Sequence, residues 1–256
     1  MAQRTSYDPG TFCWVDLSTV DPGASVEFYR RVFGWTADRQ EGTGYVIFQN
    51  DGAAVAGLME ITDEQRSRGV PPFWNTYVTV QDADATAARV AELGGSVHVE
   101  PFDIETTGRT AVVADPQGAV FMLWQPGDFA GAELVNAERA WAWNDLQTSD
   151  VEGAIAFYPE LLGWEIAEVP GSGGQYFAIS NGGRRIGGVM PAAAGTSRPY
   201  WAVYFGVHSA GAALEHVEAA GGERLAGPVD VPAGRFAVAS DPLGAPFSVV
   251  ESQFDD

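Results

Sequence analysis

The sequence predicts an α+β chain of two tandem domains, and an internal repeat, recurring helix caps and alternating apolar strands carry that prediction. Trp14–Asp21 (WVDLSTVD) returns as Trp143–Asp150 (WNDLQTSD), and Phe28–Trp35 (FYRRVFGW) as Phe157–Trp164 (FYPELLGW). Val55–Met59 matches Ile186–Met190, and Pro71–Val80 matches Arg198–Val207. GRTAVVADPQGA from Gly108 matches GRFAVASDPLGA from Gly234. The order is kept and the offset stays between 126 and 131 residues. A repeat of that length is a domain, not a solenoid unit. The domains are therefore 11–126 and 140–251, with Pro126–Arg139 as the connector.

Each half reads as a strand-helix-strands unit used twice. Phe12–Ser18 is an apolar and aromatic strand with near-alternation. A helix follows, with Asp21 as N-cap, Pro22 in its first turn and Gly34 as its stop. Val26, Tyr29 and Phe33 share one of its faces. Strands then fall at Tyr45–Phe48 and Ala53–Met59, and a polar link leads to a further strand at Phe73–Val80. The second helix starts at Asp82 and ends at Gly94. Short strands follow around Val97–Val99, Thr110–Ala114 and Ala119–Trp124, the last two joined by the turn Asp115-Pro116-Gln117-Gly118. The second half repeats the pattern with Pro159 inside its first helix, where a lost backbone bond should bend or shorten it.

Composition removes several classes of function. The net charge is −20, and all 14 basic residues are arginine. Without lysine there is no Schiff base, no pyridoxal phosphate anchor and no P-loop ammonium. So acidic a chain is a poor partner for nucleic acid or an anionic membrane. The single Cys13 excludes an intrachain disulfide. Neither a signal-peptide profile nor a bilayer-length apolar run is present, so the expected location is the cytoplasm. Apolar residues make up 46% of the chain, enough for a substantial core.

Two motifs, each present in both halves, carry a family resemblance. One is the capping aspartate followed by Phe28-Tyr29 and Phe33-Gly34-Trp35, repeated as Phe157-Tyr158 and Leu162-Gly163-Trp164. The other is the Asp-Pro-x-Gly-Ala turn at Asp115 and Asp241. Over roughly residues 11–251 the chain resembles the vicinal oxygen chelate superfamily (glyoxalase/bleomycin-resistance/dioxygenase), in its two-domain actinobacterial style, some of whose members sit among antibiotic pathway genes. The resemblance implies four βαβββ modules, near 11–59, 72–126, 140–190 and 199–251, whose curved sheets enclose two cups. It leaves module pairing open, since members exchange modules within or between chains, and homodimerisation is an open expectation for the same reason.

The resemblance also implies a divalent metal held by His, Gln or Glu from four strands. Carried over one by one, those positions hold Trp14, Gly57, Asn75 and Met122 in the first half. In the second half they hold Trp143, Gly188, Ala202 and Ser248. Indole, glycine, alanine and thioether do not suit a hard cation, so neither a metal nor another cofactor is expected.

Strand parity puts Phe12, Trp14, Asp16 and Ser18 on the cup face, with Trp141, Trp143, Asp145 and Gln147 in the repeat. It also aims Asn75, Tyr77, Met122 and Trp124 inward, with Tyr204 and Ser248 as counterparts. Met59 and Met190 are expected to close the floor. A cup of indole, phenol and thioether suits a flat aromatic ligand; the plainer alternative is that these rings fill the space a metal left. Asp16 and Asp145 recur, as do Arg109 and Arg235. They read either as ion pairs fixing the sheet or as a general base with an anchoring arginine. His208, at a strand end, is a candidate acid/base at the rim.

The expected function is metal-independent binding or tailoring of an aromatic, polyketide-like metabolite, with Asp16 or Asp145 moving a proton. Two alternatives stand beside it. One is a lyase, isomerase or dioxygenase with relocated metal ligands; the other is a resistance-type protein that sequesters an antibiotic.

Overall fold

Two central strands meet at the middle of each sheet and decide how the modules pair. The computed structural model describes residues 2–193, 198–231 and 234–251. After a short β1 (Ala2–Gln3), the first module contains β2 (Phe12–Thr19), α1 (Pro22–Phe33), β3 (Thr36–Arg39), β4 (Val46–Asn50) and β5 (Ala53–Glu60). One turn of helix, α2 (Asp63–Ser67), leads to β6 (Phe73–Thr79), α3 (Ala83–Glu92), β7 (Ser96–Ile104), β8 (Gly108–Ala114) and β9 (Val120–Pro126). β2 pairs antiparallel with β6, while β2–β5 and β6–β9 are parallel. The resulting sheet has the order β3-β4-β5-β2-β6-β9-β8-β7.

The connector contains β10 (Leu134–Val135), and the second domain repeats the first. Its elements are β11 (Trp141–Thr148), α4 (Val151–Leu162), β12 (Glu165–Glu168), β13 (Phe177–Asn181) and β14 (Arg184–Pro191). They continue with β15 (Tyr200–Gly206), α5 (Ala210–Ala219), β16 (Glu223–Val231), β17 (Gly234–Ser240) and β18 (Pro246–Glu251). The order β12-β13-β14-β11-β15-β18-β17-β16 mirrors the first sheet, and β10 and β1 add to it beside β11. Modules therefore pair within each domain, first with second and third with fourth. The class is α+β: two mixed sheets, neither closed into a barrel.

The caps form where the sequence placed them. Asp21 accepts from Ala24 N (3.0 Å), and Gly34 takes the left-handed conformation at φ 73°. Pro159 does not shorten α4, which keeps the 12 residues of α1. Its missing N–H orphans only the carbonyl of half-exposed Ile155, which water can reach. The short strands β3 and β12 were not anticipated; their mostly polar, outward residues carry no apolar alternation.

The four long helices α1, α3, α4 and α5 lie between the two sheets, so each cup faces away from the other. Tyr29 on α1 packs edge-on to Trp74 of its own sheet (5.4 Å), while Phe33 reaches Phe205 of the other (5.3 Å). In the mirrored position Tyr158 on α4 meets Phe121 (5.8 Å) and Trp201 (5.5 Å). Burying such rings contributes about 1.5–3 kcal/mol each. The recurring motifs meet at this seam: the Tyr158 hydroxyl donates to Asp115 Oδ2 (3.0 Å), and Asp115 Oδ1 accepts from the amides of Gln117 (3.0 Å) and Ala119 (2.8 Å). Tyr29 faces Asp241 in the same manner, though Asp241 Oδ2 is left without a partner in hydrogen-bond geometry. Tyrosine and aspartate of the two motifs thus tie one domain to the other. No described helix is long and apolar enough to cross a membrane.

Candidate functional site

Asp16 stands midway along β2, opposite Asn75 on β6, with Gly57 of β5 on its other side. Its carboxylate is wholly buried and accepts from three side chains. The hydroxyls of Tyr77 (2.7 Å) and Tyr45 (3.0 Å) donate to Oδ2, and Asn75 Nδ2 donates to Oδ1 (2.7 Å). Trp14 Nε1 holds the Tyr45 hydroxyl (2.8 Å), and Asn75 also donates to Ser18 Oγ (3.0 Å). A Cβ on Gly57 would lie 2.0 Å from the Tyr45 oxygen, so glycine is what lets that phenol lie over the strand. The first cup is then closed by the connector. Phe129 meets Trp14 edge-on at 5.0 Å, and its carbonyl accepts from Trp124 Nε1 (3.0 Å). Trp14, Trp124, Asn75 and Met122 all end up buried.

The second cup keeps the core of this arrangement and loses its filling. Asp145 Oδ1 accepts from the Tyr176 hydroxyl (2.8 Å) and from Trp143 Nε1 (2.9 Å). Trp143 Nε1 also reaches the Tyr176 oxygen (3.0 Å), and Tyr204 is a further donor to Asp145. Gly188 repeats the role of Gly57, with a would-be Cβ 2.2 Å from the Tyr176 oxygen. Where the first cup has Asn75, Met122 and Trp124, the matching strand positions hold Ala202, Ser248 and Val250. Trp143, Tyr176, Met190 and Phe236 are half-buried, and Tyr200, beside Asp145, is 36% exposed.

Burial raises both aspartates above the ordinary carboxylate range, and the surrounding hydrogen bonds offset only part of that. The phenols around them are raised as well, first by burial and then by the neighbouring carboxylate. Both carboxyl groups thus hold a proton more readily than a free carboxylate does, beneath an aromatic surface. Burial also pushes the Cys13 thiol up to about 12, which leaves it unreactive.

These residues do not fit a divalent metal. Each cup holds one carboxylate, already committed to phenol, amide or indole donors, and a tyrosine oxygen occupies the space where a side chain at Gly57 or Gly188 would stand. Among the described residues no group of three or more His, Cys, Asp or Glu gathers where it could hold a metal ion.

Several expected placements need correction. Arg109 lies on the helix side of its sheet, where it pairs with Asp84 (2.7 Å) and Asp103 (2.9 Å), and Arg235 pairs with Asp230 (3.1 Å). Neither reaches a cup aspartate; the in-facing neighbours are Gly108 and Phe236, against Trp124 and Tyr204. His208 is exposed beside Glu138 of the connector, away from both cups. Met59 is 38% exposed and so lies at a rim, not a floor. A bulge between Phe12 and Trp14 reverses parity, turning Phe12 onto Trp164 (5.2 Å) and Trp201 (5.1 Å). Trp141, beyond the matching bulge, donates to Asn144 Oδ1 (2.6 Å). Trp14, Asn75, Tyr77, Met122, Trp124, Trp143, Tyr204 and Ser248 do gather with the two aspartates, while Met190, the counterpart of Met59, is half-buried beside Gln147. Tyr45, Tyr176, Tyr200, Phe129 and Phe236 were missed, although Tyr45 and Tyr176 repeat at an offset of 131.

Comparison with known proteins agrees with this architecture. The model of the Glyoxalase/Bleomycin resistance protein/Dioxygenase superfamily matches residues 11–123 and again 141–249. A Mycobacterium tuberculosis protein provisionally named glyoxylase CFP32 is 39% identical over 257 residues, 98% of each chain. The anthracycline biosynthesis protein DnrV of Streptomyces peucetius is 36% identical over 276 aligned positions, covering 96% of this chain and 95% of its own. Among solved structures, a Mn(II)-bound glyoxalase of Novosphingobium aromaticivorans superposes with a TM-score of 0.66 at 17% identity, covering 95% of this chain and 83% of that one. That likeness concerns the fold alone. The doubled family match and the full-length relatives place this chain in the glyoxalase/bleomycin resistance protein/dioxygenase superfamily.

Proposed function

We propose that the second cup binds a flat aromatic small molecule of secondary metabolism and acts on it, or holds it, without a metal. The observation that carries this reading is the half-buried aromatic surface of Trp143, Tyr176 and Phe236, with exposed Tyr200, over a buried Asp145. The relative named for anthracycline biosynthesis supports a polycyclic aromatic as the substrate class. Trp143 supplies a stacking face. Tyr200, the exposed phenol beside Asp145, offers its hydroxyl to a ligand oxygen. A proton leaving a bound phenol passes to Tyr176 and on to Asp145, which burial disposes to keep it. Asp145 therefore works through the tyrosines as a positioning residue. The first cup, shut by Phe129, serves as scaffold.

Titration with a hydroxylated anthraquinone, read by tryptophan fluorescence, tests the reading. Saturable quenching that disappears in Val250→Trp supports it; quenching unchanged in that variant overturns the choice of cup. Elemental analysis of the purified protein tests the metal: stoichiometric iron, zinc, nickel or manganese would favour a lyase, isomerase or dioxygenase instead.

A further inference from the structure

The segment ahead of β2 is fastened to the connector and to the second domain. The Arg4 amide donates to Glu133 O (2.8 Å), the Tyr7 hydroxyl donates to Ala132 O (2.6 Å), and Arg184 pairs with Asp8 (2.9 Å). Between this segment and the strands β10, β11 and β14 lies a cavity of about 350 Å³, lined by Arg4, Tyr7, Asp8, Trp143, Arg184 and Arg185 among others. Three of the chain's 14 arginines converge there, in a protein of net charge −20. Among the described residues its only lining carboxylate, Asp8, is taken by Arg184.

Acidic residues outnumber basic ones 34 to 14, and most arginines have found a carboxylate. Arg185 has none among the described residues, although it lines a cavity and faces no shortage of acids. It lies near the polar edge of the second cup. Burial and Asp145 raise the Tyr176 hydroxyl, and Arg185 is the positive charge that opposes them. Trp143 belongs to both spaces, lining the cavity while its Nε1 holds Asp145 and Tyr176. An indole wall beside a guanidinium fork matches a planar, resonance-stabilised anion on a ring.

We propose that this cavity receives a planar oxyanion, a carboxylate or acidic phenolate carried on an aromatic ring, with Arg185 and Arg4 as its cationic hosts and Trp143 against the ring. For the aromatic part of the ligand the proposal rests on the reading of the second cup; it adds the charged end and where that end sits.

Calorimetric titration of the full-length protein with naphthoate and with uncharged naphthamide tests it. Naphthoate should bind about tenfold tighter, the size of one charge-assisted contact. Arg185→Gln should erase that gap and leave naphthamide unchanged, and added salt should narrow it in the wild type. Arg185 is exposed, so its substitution leaves the fold intact; Arg4→Gln gives an independent second variant. Equal affinity for acid and amide, a gap that survives both substitutions, or no binding of either probe overturns the proposal. The two readings fail separately: Val250→Trp leaving both affinities unchanged removes the cup while keeping the anion site. Loss of both affinities in that variant, with no acid preference in the wild type, does the reverse.

Discussion

Around Asp16 the first cup places Asn75, Met122 and Trp124; around Asp145 the second places Ala202, Ser248 and Val250. The aspartate, its two tyrosines, its tryptophan and the glycine beneath one phenol are common to both. What duplication preserved is the hydrogen-bonded cluster, and what diverged is the volume above it. The connector adds to the divergence, because Phe129 lies across Trp14 and Trp124. A buried carboxylate that has lost its donors costs several kcal/mol, which explains why the cluster persists on both sides. The filling carries no such constraint, so one cup can become core and the other stay available.

Removing the filling should break the first cup far more than the second. Trp124→Ala is expected to cost about 3–5 kcal/mol in urea unfolding, the range for emptying a packed aromatic site. Val250→Ala, at the matching position, removes less volume from a half-buried site and should cost about 1 kcal/mol. Equal losses would mean that the second cup is packed as tightly as the first.

Much of this contrast was legible before the fold was known, and the missing part has physical causes. Trp124 against Val250 and Met122 against Ser248 follow from repeat matching alone, and so do both aspartates. Tyr45 and Tyr176 repeat too, but Tyr45 stands at the very edge of its expected strand, and in the fold both lie just ahead of β4 and β13, where alternation assigns no face. Phe129 could not be read as a plug, because a connector residue acquires that role only through tertiary contact. Arg109 and Arg235 were misassigned for a simpler reason. Both recur and follow glycine, yet alternation from the in-facing Gly108 and Phe236 sends them to the helix side.

A methyl group under each phenol sharpens the comparison. Gly57→Ala and Gly188→Ala place a Cβ 2.0 and 2.2 Å from a tyrosine oxygen, so Tyr45 or Tyr176 must move. Overpacking of this kind costs about 1–3 kcal/mol. The larger loss is expected at Gly57, where Trp14 holds the phenol beneath a closed cup. At Gly188 the ring lies over Ala202 and Ser248 where the first cup has Asn75 and Met122, so ligand affinity should fall more than the melting temperature does.

The pH dependence should follow from the same burial. Asp16, Asp115, Asp145 and Asp241 are all raised on folding, chiefly by desolvation. A raised acid binds its proton more tightly when folded, so its contribution is fully present below the unfolded carboxylate range and is lost as pH rises through the folded value. Stability should therefore increase on mild acidification from neutral pH, as relief of the −20 charge also dictates. Asp16→Asn should flatten that profile, because an amide keeps the volume without the titration. A profile that falls from pH 7 to 5 in the wild type would show that these groups are ionised at little cost.

The smallest effects should come from the arginines that recur without serving a cup. Arg109 crosses from β8 to Asp84 on α3, and Arg235 reaches, among the described residues, Asp230 of the neighbouring strand. The Arg235 pair faces solvent, where screening and side-chain entropy cancel most of the attraction, whereas Arg109 is half-buried and bidentate to Asp84. Arg109→Ala and Arg235→Ala should leave anthraquinone affinity unchanged; Arg235→Ala should barely move the unfolding midpoint, and Arg109→Ala should cost about 1 kcal/mol. Arg185→Gln, a change of the same charge at another exposed site, should weaken naphthoate binding. Because all three remove one positive charge from an acidic protein, equal losses of affinity would trace the effect to the overall field. A loss confined to Arg185 locates it at the cavity beside Trp143.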